Sequence, residues 1–275
     1  MKIKRKYSFK SKRQIWRIIP TETNKLIIEE REPDKNQVYF NCFQTDTGKQ
    51  IFRDLQLDEK FWVGIETVYN DVIFFHKYLK PDMPGHKGII AFEIENEKIK
   101  WENKDLTFLF PLDDMIYMYA QMFEGRNHFA LDYKTGEVLE AFGNDTSKIS
   151  GLRERSIENE NSKNYLFPNI YFNDSNDLEE LKSFFEGLKN KCLISGRIEF
   201  IRLDSMLIFS YHGINSKGSM DIFFNAVDLS TGNYILEEKL MKETGLFLSD
   251  SFFIKGNLLF VLFGKSKLNV YELRD

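Results

Sequence analysis

A turn motif, Asp-x-x-Thr-Gly between two strand-like runs, recurs along this chain and constrains its fold more than any other feature. The clearest copy is Phe129-Ala-Leu-Asp-Tyr-Lys-Thr-Gly-Glu-Val-Leu139. Related turns lie at 42–51 and 226–235, and a weaker one lies at 91–101, where Asn96-Glu97 replaces Thr-Gly. The Asp side chain can accept hydrogen bonds from turn N–H groups, and Gly supplies the positive φ that a short hairpin needs. Repetition of this hairpin predicts a repeated β unit.

Each hairpin belongs to a larger unit of four strand-like runs, with a period of about 45 residues. Four such sets lie at 15–55, 62–102, 107–142 and 198–240, and a last set at 246–273 has three runs. This pattern predicts an all-β fold, a single β-propeller of four-stranded blades that spans residues 1–275. Five blades are favoured, and a degenerate sixth stays open because the gap before the fourth set is close to two repeat lengths. A β-sandwich or an up-and-down barrel would not explain the groups of four.

The N-terminal residues alternate in a way that is typical of an edge strand. Ile3, Tyr7 and Phe9 fall on one face, and the lysines of residues 2–10 fall on the other. Because the last set lacks one strand, we expect residues 2–10 to supply it and to close the ring. The alternatives for such a basic segment are a solvated tail or a tether for nucleic acid or membrane.

Residues 143–196 interrupt the repeat and are predicted to form an inserted segment with one helix at about 178–188. Asp177 is a suitable N-cap and Glu180 occupies the capping-box position. An apolar stripe along this helix must be buried against another element. We expect the insertion to act as a lid over one face of the propeller.

Composition narrows the choice of partners. The chain of 275 residues has a net charge of −4, which argues against a nucleic-acid surface spread over the fold. Cys42 and Cys192 form no CxxC pair, so we expect reduced thiols in a cytoplasmic protein and neither a structural zinc site nor a disulfide. No apolar run approaches the length of a membrane span. The expectation is a monomer that binds no membrane, no cofactor and no metal.

The Asp-x-x-Thr-Gly hairpins resemble those of quinoprotein-like and WD-like propellers. The segments Pro84-Gly-His-Lys-Gly-Ile-Ile-Ala91, Tyr165-Leu-Phe-Pro168 and Phe252-Phe-Ile-Lys-Gly-Asn-Leu-Leu-Phe260, with Ile198-Glu-Phe200, are similar to an uncharacterised bacterial family of about 270 residues. This resemblance covers nearly the whole chain. It implies a propeller-like fold and supplies no catalytic residue, and the calcium site and cofactor-stacking tryptophan of redox quinoproteins are not recognised here.

Propeller geometry indicates where ligands could bind. The connections from the second to the third strand of each blade emerge on the face opposite the Thr-Gly turns, and the insertion should cover that same face. All four histidines lie in or beside these connections, and we expect them, together with one lysine, to line a ligand or metal pocket under the lid. The candidates are His76, His86, Lys87, His128 and His212. The alternative is that polar loops simply carry polar residues, and the spacing between His76 and His86 matches no recognised metal motif.

Carboxylates on the innermost strands are the second set of candidates. Glu66, Glu199 and Asp250 occupy comparable places in three blades and could approach a central channel, as catalytic carboxylates do in glycosidases. Pairing with Arg17 or Arg202, or simple hydration, would explain them equally well. The chain has no GxSxG, P-loop or GxGxxG motif. The leading hypothesis is therefore a non-catalytic propeller that binds a protein or small molecule, and the alternative is a hydrolase acting on a carbohydrate-like substrate.

Overall fold

The computed structural model describes residues 2–78, 85–161, 165–172, 179–245 and 247–274. These residues form two compact units, each described by itself below. The middle unit is Arg13–Lys163, and the terminal unit combines Met1–Lys12 with Asn164–Asp275. The predicted single domain of residues 1–275 stays a prediction.

Strands dominate both units. In chain order they are β1 (Lys2–Lys10), β2 (Gln14–Pro20), β3 (Lys25–Glu32), β4 (Gln37–Gln44), β5 (Gln50–Leu55), β6 (Val63–Tyr69), β7 (Val72–Tyr78), β8 (His86–Glu93), β9 (Lys98–Asn103), β10 (Thr107–Leu112), β11 (Met115–Met122), β12 (Gly125–Asp132), β13 (Val138–Gly143), β14 (Tyr165–Leu166), β15 (Asn169–Ile170), β16 (Ile194–Leu203), β17 (Met206–Ile214), β18 (Met220–Asp228), β19 (Asn233–Thr244), β20 (Phe252–Lys255), β21 (Leu258–Phe263) and β22 (Lys267–Arg274). A 3-10 turn covers Pro33–Lys35, and the two helices are α1 (Thr146–Asn161) and α2 (Glu179–Lys191).

The middle unit contains three antiparallel sheets, each with its four strands in sequence order. The first sheet is β2-β3-β4-β5, the second is β6-β7-β8-β9 and the third is β10-β11-β12-β13. Phe40 of the first sheet packs against Phe75 of the second, and Phe74 on the other face of the second sheet shares a core with Met118 of the third. The three predicted strand sets of this region are therefore confirmed as sheets that pack face to face.

The terminal unit contains two sheets, the fourth (β15-β16-β17-β18-β19) and the fifth (β1-β22-β21-β20-β14). Strand β1 pairs antiparallel with β22, from Lys2 opposite Arg274 to Lys10 opposite Lys267. Phe9 is buried, while the alternating lysines are exposed. The expected pairing of residues 2–10 is confirmed, so this segment is a sheet strand and not a tail. Closure of a ring and the number of blades stay predictions.

The insertion contains two helices among the described residues, so the prediction of a single helix is wrong. Helix α1 was missed because its sequence is mostly polar, and only Ile149 and Leu152 join a core, that of the third sheet. Helix α2 agrees with the predicted helix at 178–188, and its buried residues Leu181, Phe185 and Leu188 pack on the fourth sheet. The predicted cap Asp177 and the first stripe residue Leu178 lie outside the described residues.

The recurrent hairpin has the expected turn chemistry. The carboxylate of Asp132 accepts the N–H groups of Lys134 and Thr135, each at 2.8 Å, and Gly136 has a φ of +74°. In the weaker copy, Glu97 takes the same left-handed conformation with a φ of +51°. The turn geometry therefore persists where the glycine is absent.

Neither described helix has the length and apolar composition needed to cross a membrane.

Candidate functional site

Three side chains of the middle unit meet at one end of the second sheet. One carboxylate oxygen of Glu66 lies 2.5 Å from Nδ1 of His86 and 3.2 Å from Nδ1 of His76. The two imidazole rings stack, with centroids 3.5 Å apart and an angle of 7° between their planes. We call Glu66, His76 and His86 the Glu–His–His cluster. Each residue offers one ligating atom, and these three atoms lie within 4.8 Å of one another.

Two irregularities in strand pairing bring the cluster together. On β6, Ile65 pairs with Phe75 but Thr67 pairs with Phe74, so Glu66 is an extra residue. On β8, His76 pairs with Ile89 but Lys77 pairs with Lys87, so Gly88 is the extra residue there and takes a φ of +75°. A bulge of this kind redirects side chains from the normal alternation. The bulge at Gly88 puts His86 on the face that carries His76.

Gly64 makes the space that His76 occupies. It lies directly opposite His76 on β6, and a Cβ atom at this position would stand 3.0 Å from Cε1 and Nε2 of the imidazole. The guanidinium of Arg31 lies beyond, held by the carbonyls of Phe61 and Val63. A side chain larger than hydrogen at position 64 would therefore push directly on the cluster.

His76 is the most deeply buried member, with 2% of its surface exposed. Its Nδ1 atom lies at ion-pair distance, 3.2 Å, from the Glu66 oxygen, while Nε2 has no hydrogen-bond partner among the described residues. A buried polar group without a partner typically costs about 1–3 kcal/mol. Burial lowers the pKa of His76, and this effect exceeds that of the Glu66 carboxylate, which raises it. The neutral form of the imidazole, which has a free lone pair, is therefore favoured.

The charges around the cluster are mixed. Burial disfavours the ionised form of Glu66, but the adjacent imidazoles outweigh this effect and lower its pKa, which keeps the carboxylate charged. Arg17 donates a hydrogen bond to the carbonyl of Ile65, and its positive charge acts on His76. Arg31 is neutralised by Glu29 at 2.7 Å. Among the described residues, the Glu66 carboxylate and the Arg17 guanidinium thus set the local potential.

Tyr78 completes the wall of the cluster. Its ring stands edge-on to His76 and to His86, at centroid distances of 5.2 Å and 5.4 Å. The side chain of His86 remains 33% exposed and that of Glu66 16% exposed. A small ligand can therefore approach from solvent on the His86 side, while His76 forms the closed end.

The contacts described for the other predicted ligand-binding residues are with residues outside this cluster. Lys87 is half-buried on β8 and pairs with Lys77 across the sheet. His128 is buried in the third sheet, where its Nδ1 lies 3.2 Å from the carbonyl oxygen of Gly143. His212 belongs to the terminal unit, and its Nε2 accepts the N–H of Leu248 at 3.1 Å. Ligand binding by these three residues stays a prediction.

The predicted carboxylates are divided between the units. Glu66 belongs to the middle unit, whereas Glu199 and Asp250 adjoin each other in the terminal unit. The carboxylate of Glu199 accepts the backbone N–H of Asp250 at 3.2 Å and faces the hydroxyl of Ser210 at 3.5 Å. Burial raises the pKa of Glu199, and the Asp250 charge adds to this effect while its N–H group opposes it. A catalytic role for these carboxylates is untested.

The expected lid over the histidine end is wrong for helix α1. Ser156 donates to the carbonyl of Pro111 at 2.9 Å, and Arg155 pairs with Asp113 at 2.7 Å, beside the β10–β11 turn. That turn lies at the end of the third sheet opposite the β11–β12 connection, since successive antiparallel strands turn at alternate ends. The apolar residues of α1 pack on the face of the third sheet that carries Phe110 and Tyr117, whereas the second sheet packs on the face that carries Met118, so α1 lies away from the cluster.

Sequence reasoning missed the parts of the site that depend on register. Gly64, Tyr78 and Gly88 shape the cluster, but neither bulge can be seen in the alternation of apolar and polar residues. A signal was present at Gly88, because an isolated glycine inside a strand pattern suggests a bulge.

The described residues define an all-β protein of four-stranded antiparallel sheets, two of them extended by a short fifth strand, with a Glu–His–His cluster at one sheet end. Residues 19–101 match a family described as a domain of unknown function, DUF4905. That match includes all three cluster residues and confirms a resemblance to a family without an assigned role. No curated protein gives a significant sequence match.

Similar solved structures share little sequence with this chain. A europium-containing methanol dehydrogenase is 10% identical with a TM-score of 0.34, and the alignment covers 96% of this chain and 52% of that chain. The Dos1 propeller is 11% identical with a TM-score of 0.27, covering 90% and 50%. The AfRom2 CNH domain is 10% identical with a TM-score of 0.29, covering 99% of each chain. The chain thus spans about half the length of the first two.

Proposed function

We propose that this chain is a non-catalytic binding protein on a propeller-like scaffold, and that it holds its ligand at the Glu–His–His cluster. The observation that carries this proposal is the convergence of one buried and one partly exposed imidazole on the Glu66 carboxylate, with the three ligating atoms within 4.8 Å of one another. Polar side chains that converge beside a solvent route are typical of a small-ligand site.

The form of the cluster favours binding over catalysis. His76 sits in the middle of a paired strand, wedged against Gly64, and cannot follow a reacting group through large movements. The Thr107 hydroxyl donates to the backbone carbonyl oxygen of His86 at 3.3 Å, and none of the described hydroxyl or thiol groups is hydrogen-bonded to the side chains of the cluster. A rigid, buried imidazole (His76) next to a partly exposed one (His86) suits a site that binds a small ligand. Since α1 does not cover this end, the proposed binding surface is the end of the second sheet itself.

A thermal-shift screen of small ligands and ions on untagged protein tests this proposal. His86→Ala is the informative variant, because His86 is partly exposed and its loss should leave the sheet intact. His212→Gln in the terminal unit is the matched control. We expect ligands that stabilise the wild type and the control but not the His86 variant. If every stabilising ligand acts equally on all three proteins, the cluster is not the binding site.

A hydrolase is the second candidate function, favoured by the raised pKa of Glu199. A carboxyl group that holds its proton can act as a general acid, and Asp250 is the adjacent second carboxylate. The test is hydrolysis of a panel of chromogenic glycosides by wild type and Glu199→Gln. Activity that disappears in the variant would support this candidate. Equal rates in both proteins, or none, would remove it.

A further inference from the structure

We propose that the Glu–His–His cluster is a binding site for one divalent transition-metal ion of the zinc type. The proposal rests on the proposed function, since it names the class of ligand for the same three residues. The sequence alone predicted no metal here, because neither the spacing of His76 and His86 nor the position of Glu66 matches a known motif.

The donor set selects this class of ion. Two imidazole nitrogens and one carboxylate oxygen lie within 4.8 Å of one another. Imidazole is a preferred ligand of Zn²⁺, Cu²⁺, Ni²⁺ and Fe²⁺, whereas Mg²⁺ and Ca²⁺ prefer sites built only from oxygen. Three protein ligands with an open side is the usual arrangement of zinc sites that also bind water or a small molecule.

The distances require only a small rearrangement. Bonds of about 2.0–2.2 Å from a tetrahedral ion place the ligand atoms a little more than 3 Å apart. The Nδ1 atom of His76 already lies 3.2 Å from the Glu66 oxygen, while that of His86 lies at 2.5 Å and must move outward. His86 is the first residue of β8 and is one-third exposed, so its ring is free to turn out of the stack.

His76 supplies the fixed point of the site. Its strand neighbours pair on both sides, with Gly64 on β6 and Ile89 on β8, and this pairing holds Nδ1 at 3.2 Å from the Glu66 oxygen. A metal ion would accept the lone pair of Nδ1. It would also bridge the two imidazoles to the carboxylate, and so explain why two bulges converge on one point.

The charge of Arg17 sets the expected strength. Its guanidinium donates to the carbonyl of Ile65, next to Glu66, and acts electrostatically on His76. A cation this close opposes a second cation. We therefore expect binding weaker than in a closed structural zinc site, and we expect Arg17→Gln to bind the ion several-fold more tightly than the wild type.

The experiment is calorimetric titration of untagged, chelator-treated protein with Zn²⁺, repeated with Co²⁺, whose visible absorption reports nitrogen and oxygen coordination. One ion should bind per chain. Glu66→Gln, which keeps the shape of the side chain, and His86→Ala should each weaken binding at least tenfold. Cys192→Ser should leave it unchanged, and this control excludes the partly exposed thiol as the ligand.

Two results would overturn the metal proposal. One is the absence of binding by wild type, and the other is equal affinity in wild type, Glu66→Gln and His86→Ala. In either case, an organic ligand that stabilises wild type but not His86→Ala would show that the proposed function holds with another ligand. Circular dichroism of each variant separates loss of the site from loss of folding.

Discussion

The imidazole rings of His76 and His86 lie face to face, with 3.5 Å between centroids and planes 7° apart. Two imidazolium ions would repel each other strongly at this distance, so the stack requires that at least one ring stay neutral. Their shared neighbour Glu66 can compensate one positive charge. The cluster is thus suited to one added cation beside the Glu66 carboxylate, either a proton or a metal ion.

Gly64→Ala should disturb this cluster by placing a methyl group against the His76 ring. The new Cβ would lie 3.0 Å from two atoms of His76, and the ring cannot retreat because it is buried. We expect a loss of about 1–3 kcal/mol in the free energy of unfolding, as for other overpacked sites. Urea denaturation measures this loss, and binding at the cluster should weaken in parallel.

The control for that substitution is Gly151→Ala in helix α1. A Cβ at Gly151 meets no atom within 4 Å, and alanine is the better helix former. This change should raise stability by about 0.5–1 kcal/mol. If both glycine variants shift stability in the same direction, steric pressure on His76 is not the cause.

Gly136→Ala should destabilise the third hairpin more than Gly232→Ala destabilises the equivalent turn of the fourth sheet. Both glycines have positive φ, +74° and +72°, so alanine is strained at either position. Only at Gly136 would the Cβ also collide with a ring, 2.6 Å from Cδ2 of Trp101. We expect an extra cost of about 1–3 kcal/mol for Gly136→Ala in urea unfolding. Equal losses of unfolding free energy in the two variants would mean that the Trp101 ring moves aside without destabilising the protein.

The repeat made the sheets predictable. Turn residues such as Asp132 and Gly136 act locally, through hydrogen bonds and φ angles that the sequence specifies within five positions. The pairing of the edge strand β1 was predictable from its alternation. These features need no knowledge of distant contacts. The prediction that Ile3 and Phe9 share one face is wrong, because a bulge between Arg5 and Tyr7 puts them on opposite faces, opposite Leu273 and Leu268.

The cluster could not be predicted, because its geometry depends on pairing register. Whether His86 shares a face with His76 is decided by one extra residue, Gly88, and alternation cannot place a bulge. Helix α1 was missed for another reason. It packs through only Ile149 and Leu152, which leaves no apolar stripe to detect.

Ser8→Ala tests how firmly β1 belongs to the fifth sheet. The Ser8 hydroxyl lies 2.7 Å from Oδ1 of Asn269, which is fully buried, and the amide nitrogen of Asn269 donates to Tyr271. Loss of the hydroxyl leaves a buried acceptor without this partner, at a cost of about 1 kcal/mol. Lys4→Ala, which alters an exposed side chain of the same strand, should change stability by less than about 0.5 kcal/mol. A smaller loss for Ser8→Ala than for Lys4→Ala would mean that β1 is loosely held.

The stability of the Glu199→Gln variant relative to the wild type should increase from acidic to neutral pH. Burial raises the pKa of Glu199 above its ordinary value of 4.5, with the Asp250 charge acting in the same direction. The unfolded chain then ionises at lower pH than the folded protein. The contribution of Glu199 to stability is therefore fully present below pH 4.5 and is lost as pH rises through the folded-state pKa. Glutamine keeps an acceptor for the Asp250 N–H but does not ionise, so the advantage of the variant should grow from pH 4 to pH 7.

Asp221→Asn should show the opposite pH dependence of stability in the same measurement. The hydrogen bond from Lys239, with the N–H of Glu243, lowers the pKa of Asp221 to about 2. Its contribution is present above its ordinary value of 3.8 and is lost as pH falls towards 2, so wild type should exceed this variant at pH 7 and the gap should close in acid. Urea unfolding of the three proteins from pH 3 to pH 8 gives both trends. A Glu199→Gln difference that does not vary with pH would mean that Glu199 is ionised without penalty, and it would remove the basis for a general acid at this position.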